Sequence, residues 1–364
     1  MIFCDKCFKL EEIRQIIGTD NVERGQCEAD KSHGKSIVID TEKDHETMSN
    51  IRNIITPILE LYKSSENLPH DFPIRLKSSI DVSLRERWPI FNIDTQGVRD
   101  FLELLYTDSN DLKLDLLGNL VAIPQEIEQN PDFRLLKTGN WDNFVTSIKH
   151  ENRFFSDAIN LKILKEFISR SARVLDFHTP FYRCRINEEP LPCSKMGAPG
   201  IDKASSGRLN PEGVSVLYLS NDKEACVREV RAGFHDGINY AQFDLNESLN
   251  LVDLTNFEDN AFSRSDEFDD EVLIKYYLNR NILKEISEEF AKPSNNSSRS
   301  MNYLPTQYIS EFIKALGYDG ILYNSVMSPT ATNLVLFDEK KATINQQVDF
   351  RKITRINYSH EMLK

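Results

Sequence analysis

Glu229 is the residue that most directly suggests chemistry, because its charge falls at an apolar position. The stretch SSGRLNPEGVSVLYLSNDKEACVREV, from Ser205 to Val230, is typical of a turn, a strand and a helix. Helical spacing places Glu229 among small and apolar residues of that helix. Burial of an unpaired carboxylate is very costly, so the pattern predicts either an ion pair or a cavity that a ligand enters. The candidate partners for an ion pair are Arg183, Arg185 and Arg208.

Four residues near the N-terminus have the types and spacing of metal ligands. Cys4 and Cys7 form a Cys-x2-Cys pair, and Cys27 and His33 follow with a spacing that a loop can bridge. A pair of thiolates at this spacing is half of a tetrahedral zinc knuckle. We predict a structural zinc site, which would fold this segment and catalyse nothing. The alternative is a set of unliganded cysteines with an exposed His33.

Three regions carry these residues. Residues 1–40 hold the Cys/His segment, and SIVID, from Ser36 to Asp40, predicts a strand there. Residues 41–175 are predicted to be mainly helical, and residues 176–364 to form a mixed α/β domain. The fold class predicted for the chain is therefore α+β.

The helical region has apolar residues at helical spacing in three segments. These are MSNIRNIITPILELYKSS, GVRDFLELLY and FFSDAINLKILKEFISRSARVL, the last of which runs from Phe154 to Leu175. Their aromatic and leucine positions are most simply explained as core.

The last region alternates short strands with helices. The strand segments are TPFYRCRI, VSVLYL, INYAQFDL, LNLVDL, DGILYNS and NLVLFD. Asn221 is the predicted N-cap of the helix after VSVLYL, with Glu224 placed as in a capping box. The segment PTQYISEFIKAL predicts a helix that begins at Pro305 and stops before Gly317. An acidic, amphipathic helix is predicted from Asp270 to Phe290, with one face towards solvent.

Charge and composition restrict the partners and the compartment. The net charge of −13 disfavours attraction to nucleic acid or to an anionic membrane, so neither is expected as a partner. The segment from Phe181 to Asp236 nevertheless balances eight basic with eight acidic residues, which tolerates a small anionic ligand. No apolar run approaches the roughly 20 residues that span a bilayer. Six cysteines without a secretory signal indicate reduced thiols or a metal site, and we predict a cytoplasmic protein.

The motifs of the last region, from Asp176 to Asp338, resemble those of the RES domain family, named for an Arg, a Glu and a Ser. The family pattern is matched in order by FYRCRI, GRLN, VLYL, ACVRE and GYDGILYNSVMSPTATNLVLF. The matched residues are Arg183, Arg208, Asn210, Tyr218, Glu229, Ser325 and Asn333. Two positions depart from the pattern, because Leu209 replaces a common aromatic residue and Asn324 replaces the first of two serines. The front half is similar to the HEPN-like region of some longer RES proteins.

The resemblance implies breakdown of NAD. RES domains are similar in fold to ADP-ribosyltransferases, and many are toxins of toxin–antitoxin pairs that split the nicotinamide–ribose bond with water or phosphate as acceptor. The implied catalytic residues are Arg183, Tyr218, Glu229 and Ser325. The implied ligand-binding residues are Arg208, Asn210, Gln307 and Asn333. NAD is then the substrate, and no catalytic metal is needed because the leaving nicotinamide is already cationic in NAD.

Each implied role has a chemical reason. Cleavage at the ribose passes through an oxocarbenium-like state, which the carboxylate of Glu229 would stabilise. Arg183 and Arg208 suit the pyrophosphate, because guanidinium groups bind phosphate oxygens in pairs. Tyr218 would contact the nicotinamide ribose, and Ser325 would hold a phosphate oxygen or the carboxamide. The structural alternatives are an Arg183–Glu229 ion pair, a core tyrosine and a turn serine.

Other functions stay open from the sequence alone. RVLDFH, from Arg173 to His178, has the Arg-x4-His spacing of a HEPN-type ribonuclease, which carries this motif on a helix. A protein ADP-ribosyltransferase and a non-enzymatic sensor or binding module are further alternatives. An uncontrolled NAD hydrolase would poison its host, so we expect an antitoxin, an activating partner or a block by homo-oligomer formation.

Overall fold

The computed structural model describes residues 1–20, 23–107, 115–124, 131–137, 139–262, 269–292, 299–328, 330–345 and 347–356. The chain divides into two units. The first consists of Met1–Leu135 and Ala261–Asn281, and the second of Leu136–Asn260 and Ile282–Lys364. Both helices and strands are present, so the predicted mixed fold class is confirmed.

The elements are numbered along the chain. The helices are α1 (Glu11–Asp20), α2 (His45–Glu60), α3 (Ile80–Arg87), α4 (Thr95–Leu105), α5 (Trp141–Thr146), α6 (Leu161–Arg170), α7 (Lys223–Glu229), α8 (Phe257–Asn260), α9 (Asp270–Ala291), α10 (Arg299–Asn302) and α11 (Leu304–Ala315). The strands are β1 (Ile2–Cys4), β2 (Arg24–Gln26), β3 (Lys35–Asp40), β4 (Lys63–Ser64), β5 (Val121–Ala122), β6 (Ala172–Leu175), β7 (Phe181–Ile186), β8 (Leu217–Ser220), β9 (Gly237–Leu245), β10 (Leu249–Asp253), β11 (Gly320–Asn324), β12 (Thr332–Leu336), β13 (Ala342–Ile344) and β14 (Asp349–Lys352).

The first unit holds a three-stranded antiparallel sheet and the helices α1 to α4. The predicted strand SIVID is β3, which lies between β1 and β2. The ring of Phe101 meets those of Phe3 and Phe8 edge to face, with centroids 4.9 and 5.1 Å away. All three rings are buried, so the residues that flank Cys4 and Cys7 along the chain are fixed in the core of this unit.

The second unit is built on a sheet with the strand order β13–β9–β7–β8–β12–β11–β10–β6, and β14 also pairs with β9. β10 and β11 run parallel, whereas the pairs that involve β7, β8, β9 and β12 are antiparallel. Leu217, Leu219, Leu334 and Leu336 of β8 and β12 are buried in one core cluster. The six predicted strand segments are confirmed as β7 to β12. Among the helices that the structure describes, none is both long and apolar enough to span a membrane.

The helix predicted from Phe154 to Leu175 is wrong at both ends. α6 begins after Asn160, whose side chain accepts hydrogen bonds from the N–H groups of Lys162 and Ile163. The helix ends at Arg170, and the next residues form β6, which pairs antiparallel with β10. An N-cap and a long-range strand pairing therefore outweigh the helical period of the sequence.

The N-cap predicted for α7 is wrong by one residue. Asp222 caps the helix, and its Oδ1 accepts a hydrogen bond from the N–H of Ala225 at 2.6 Å. Asn221 instead binds the backbone of Thr332, accepting from its N–H at 2.8 Å and donating to its carbonyl at 3.0 Å. This exchange joins the start of α7 to β12, which carries part of the site described below.

The two helices predicted near the end of the chain are present with one difference. α11 begins at Leu304, and Gly317, with a φ of +90°, follows its last turn as a predicted stop. The predicted acidic, amphipathic helix is α9, and its apolar side is buried as an amphipathic pattern requires. Leu283, Ile286 and Phe290 are fully buried, because this side of the helix packs into the core.

Candidate active site

Glu229 is the last residue of α7, and its carboxylate is exposed. Ala225 and Cys226 anchor the helix in the core, while the Oε1 of Glu229 accepts two hydrogen bonds. The donors are the hydroxyl of Ser325, at 2.7 Å, and the side-chain amide of Asn333, at 3.0 Å. Of the two alternatives predicted for Glu229, an ion pair or a cavity, the described residues agree with the second, since the helix brings this carboxylate to the wall of a cavity.

Arg183, in the middle of the sheet on β7, faces the same cavity. Its Nη1 donates a hydrogen bond to the carbonyl of Tyr218 at 3.0 Å, and its buried Nε has no hydrogen-bond partner among the described residues. Burial, with a smaller effect of the nearby Arg185 cation, lowers the pKa of Arg183 to about 10. The guanidinium therefore stays charged at neutral pH, which places a cation at the cavity wall.

The cavity has a volume of about 290 Å³. Its wall includes Arg183, Arg208, Tyr218, Glu229 and Asn333, which are five of the eight predicted catalytic and ligand-binding residues. In the part of the chain that the structure describes, no ion pair joins Glu229 to an arginine. A cationic and an anionic side chain therefore share one cavity without neutralising each other by direct contact.

Asn210 and Gln307 lie behind the cavity and hold the turn that precedes β8. The Nδ2 of Asn210 donates to three backbone carbonyls of this turn, and its Oδ1 accepts from the hydroxyl of Tyr218 at 2.8 Å. The Nε2 of Gln307 donates to the carbonyls of Gly207 and Asn210 at 2.6 and 2.9 Å. A Cβ at Gly207 would lie 2.4 Å from the Oδ1 of Asn210, so only glycine allows this close approach.

Arg208 is fixed by backbone carbonyls at the end of α9. Its guanidinium donates hydrogen bonds to the carbonyls of Phe290 and Lys292, and its Cζ lies 6.0 Å from the ring centroid of Tyr303. Because Arg208 also lines the cavity, these contacts hold a second cation at its wall.

Ser325 and Asn333 reach Glu229 from neighbouring strands. Asn333 lies on β12, paired with Tyr323 of β11, and Ser325 directly follows β11. Both side chains are buried, so their donor groups are held in place beside an exposed carboxylate. Ser325 therefore contacts Glu229 without being part of the cavity wall, whereas Asn333 contacts Glu229 and also lines the cavity.

The sequence did not single out several residues that also line the cavity. Tyr323 is two residues before Ser325 on the same strand face, and this alternation was a usable signal. Tyr303 follows a polar segment without periodicity, which gave no signal. Cys184 and Cys226 also line the cavity, and burial raises the pKa of each thiol to about 12. Both are therefore protonated and poor nucleophiles at neutral pH.

The predicted metal ligands of the first unit lie together. One ligand atom from each of Cys4, Cys7, Cys27 and His33 falls within 4.8 Å of the others. Cys7 Sγ lies 3.7 Å from Cys4 Sγ and 3.4 Å from Cys27 Sγ, and His33 Nδ1 lies 3.3 Å from Cys4 Sγ. A tetrahedral ion with Zn–S bonds of about 2.3 Å needs ligand separations of about 3.5–3.8 Å. The cluster therefore fits a tetrahedral metal ion.

The remaining atoms around this cluster also suit a metal site. The Nε2 of His33 lies 3.5 Å from the carboxylate of Asp30, as in sites where a second group orients the histidine ring. The N–H of Asp30 points to Cys27 Sγ at 3.4 Å, and that of Cys4 to Cys7 Sγ at 3.4 Å. Both N–H groups can donate to a metal-bound sulfur.

Arg173 and His178, the candidate pair for a ribonuclease, do not lie on a helix. Arg173 lies on strand β6, where its Nε contacts the carboxylate of Asp253 at 3.1 Å. His178 follows in a turn, with its ring against that of Phe177. The HEPN motif needs both residues on a helix, so this prediction is not met.

Comparison with known proteins identifies one domain. Residues 181–356 match the family model of the RES domain. Among solved structures, a chain from the crystal structure of the M. tuberculosis MbcT-MbcA toxin-antitoxin complex is 15% identical, with a TM-score of 0.32, and the match covers 53% of this chain and 92% of that chain. No curated protein matches this chain.

Proposed function

Because this chain carries a RES domain at residues 181–356, we propose that it consumes NAD by cleaving the bond between nicotinamide and ribose. The observation that carries the proposal is the carboxylate of Glu229, held by Ser325 and Asn333 at the wall of a cavity that also contains Arg183. A fixed carboxylate beside an uncompensated cation suits a substrate that develops positive charge at one end and carries phosphates at the other.

In the proposed reaction the C1′–N bond breaks and its electron pair leaves with nicotinamide, which becomes neutral. The ribose is left with oxocarbenium character, and Glu229 stabilises this charge. Water or phosphate then adds to C1′ and loses a proton, which yields ADP-ribose or its 1-phosphate. Loss of one such fixed electrostatic group costs roughly 3–4 kcal/mol of transition-state stabilisation.

We assign Arg183 to the phosphates, because it is a cation at the cavity wall and forms no ion pair among the described residues. Arg208 contributes charge from a guanidinium already bound to two carbonyls. Tyr218 lines the cavity, while its hydroxyl is hydrogen-bonded to Leu209 and Asn210 of the turn. We therefore assign its ring to stacking on the ribose. Asn210 and Gln307 support the site from behind and do not contact the substrate.

The decisive experiment measures nicotinamide release from NAD by the full chain, with and without phosphate. We expect release by the wild type and a loss of at least about 100-fold in Glu229→Gln, from the magnitude above. Glu224→Gln is the matched control, because Glu224 lies on the same helix, is exposed and does not line the cavity. Equal rates in wild type and Glu229→Gln, or no release under either condition, would refute the proposal.

The products define the acceptor. ADP-ribose alone indicates a glycohydrolase, a phosphate-dependent 1-phosphate indicates a phosphorylase, and radiolabel on protein from adenylate-labelled NAD indicates a transferase. An antitoxin or activating partner, and a homo-oligomer, stay predictions from the family resemblance.

We also propose that Cys4, Cys7, Cys27 and His33 hold a structural zinc ion. The separations of their ligand atoms support this, and the ion would tie β1 and the turn after it to the segment between β2 and β3. We expect one zinc per chain by elemental analysis of the purified protein. A metal-free protein that is fully folded would contradict this assignment.

A further inference from the structure

A second cavity lies in the same unit as the candidate active site. Its volume is about 310 Å³. It is lined by the start of α5, by the residues at the end of α9 and by the start of α11, and Tyr303 belongs to the walls of both cavities. Trp141, Asp142 and Lys149 of this wall precede residue 181, so they lie outside the match to the RES domain.

The indole N–H of Trp141 is a buried donor without a partner. Trp141 is 6% exposed, its ring packs against Phe144 with centroids 5.1 Å apart, and its Nε1 has no hydrogen-bond partner among the described residues. An indole N–H only donates, and leaving it unbonded in a buried position is unfavourable. Because Trp141 also lines the cavity, an occupant that offers an acceptor atom would give this donor a partner.

The charged residues of the cavity are of both signs. Asp142 and Glu289 contribute carboxylates. Lys149 donates to Asn302 at 3.1 Å, and Lys292 pairs with Glu289. A cationic side chain of a partner would offer the indole no acceptor and would meet two ammonium groups. A nucleotide instead offers ring nitrogens, sugar hydroxyls for the carboxylates and phosphate for the lysines.

The two cavities have neighbouring walls. Arg208 lines the first cavity and donates to the carbonyl of Lys292, which lines the second. The ring of Tyr303, which lines both, lies next to that guanidinium. Sites for small molecules usually measure about 300–1,000 Å³. Each cavity alone is at the lower end of this range, which suits one half of a dinucleotide.

We propose that the second cavity binds the adenylate half of NAD while the nicotinamide ribose lies at Glu229. The assignment rests on the proposed function for the identity of the other half. Trp141 would donate to the adenine or its phosphate, Asp142 would accept from the adenosine ribose, and Lys149 would face the phosphate. The helical segment before the RES domain then contributes to substrate selection.

The first test is binding of AMP to the full chain, measured by isothermal titration calorimetry and by competition with NAD. We expect AMP to bind and to compete, and Trp141→Phe, which keeps the ring and loses the donor, to weaken binding about tenfold. Asp142→Asn is the second variant, because Asp142 is exposed and its change does not threaten folding. Asp157→Asn is the matched control, since its side chain is 89% exposed and lines neither cavity.

The second test compares NAD with nicotinamide mononucleotide, which keeps the scissile bond and lacks the adenylate. We expect wild type to prefer NAD, and the ratio of the two kcat/KM values to fall about tenfold in Trp141→Phe and Asp142→Asn but not in Asp157→Asn. An unchanged ratio in both variants, or absence of AMP binding, overturns the adenylate site even if nicotinamide is released. Competition by spermidine instead of AMP would also overturn it.

The two proposals fail separately. AMP binding that depends on Trp141, without nicotinamide release from any substrate, would refute the proposed reaction and leave the adenylate site standing. Release of nicotinamide that depends on Glu229, without AMP binding, would refute the adenylate site alone.

Discussion

Ser325→Ala tests whether the carboxylate of Glu229 must be held in one orientation. The change removes the hydroxyl that donates to Glu229 Oε1 at 2.7 Å. Hydrogen bonds to a charged group contribute about 1.5–3 kcal/mol, which corresponds to roughly 10- to 150-fold in rate. Because Asn333 still donates to the same oxygen, we expect the low end, a fall of about tenfold in kcat for nicotinamide release.

The separation of kcat from KM distinguishes positioning from structure. Ser325 is not part of the cavity wall, so KM for NAD should stay within about twofold while kcat falls. Its hydroxyl also accepts from the N–H of Met327 at 3.2 Å, and loss of this bond should lower the free energy of unfolding by about 1 kcal/mol. Ser325→Thr, which keeps a hydroxyl, should restore part of kcat.

The assay is a steady-state measurement of nicotinamide release, with urea unfolding of each variant in parallel. Ser328→Ala is the matched control, because Ser328 lies in the same loop and its described hydrogen bond is to Thr330. In the Glu229→Gln background the serine should matter less than about threefold, since the two changes act through one interaction. Full activity of folded Ser325→Ala, or strictly additive effects in the double variant, would refute the reasoning.

Four other predictions follow, of which one concerns the metal cluster, two the thiols and one the turn. Cys4→Ser should reduce bound zinc to well below one per chain and lower the thermal midpoint, as measured by elemental analysis and calorimetry; an unchanged zinc content would contradict it. Maleimide should modify the exposed Cys193 before Cys184 and Cys226, whose burial raises the pKa of each from 9.0 to about 12, and mass spectrometry of a time course checks this order. In the unfolded chain those two thiols ionise at a lower pH, so above about pH 9 the unfolded state binds fewer protons than the folded state. The free energy of unfolding should therefore fall as pH rises from about 9 towards 12. Equal urea midpoints at about pH 8.5 and 10.5 would contradict this prediction. Gly207→Ala should lower both stability and kcat, because its Cβ would lie 2.4 and 2.7 Å from the two side-chain oxygens that hold the turn; unaltered unfolding and kinetics would show that the turn adjusts.

The sequence predicts best where the required residues are close together along the chain or belong to a regular element. The Cys4–Cys7 spacing predicted half of a cluster that the structure assembles, and strand alternation predicted β7 to β12. The end of α6 and the N-cap of α7 were predicted wrongly, because the deciding contacts come from β10 and from Thr332, both far along the chain. Periodicity contains no information about such long-range partners.

The site shows the same limit. Glu229 was found from its position in a helical pattern, but its exposure depends on where α7 ends relative to β12. The use of Asn210 and Gln307 as supports for a turn is decided by carbonyls that no sequence pattern specifies. Tyr303 and Trp141 reach their cavities only through tertiary packing, so single-sequence reasoning gave them no role.

The two groups that hold Glu229 are both neutral, and this choice affects the chemistry. An arginine in their place would fix the carboxylate equally well but would cancel much of the charge that a developing oxocarbenium needs. Arg183 lies in the same cavity, yet its described hydrogen bond goes to the carbonyl of Tyr218. A hydroxyl and an amide thus orient Glu229 while its negative charge is kept, and the cations stay available for phosphate. The carboxylate is also stable at an apolar helix position for a simple reason. Because α7 ends at Glu229, the charge stays in contact with solvent and needs no counter-ion.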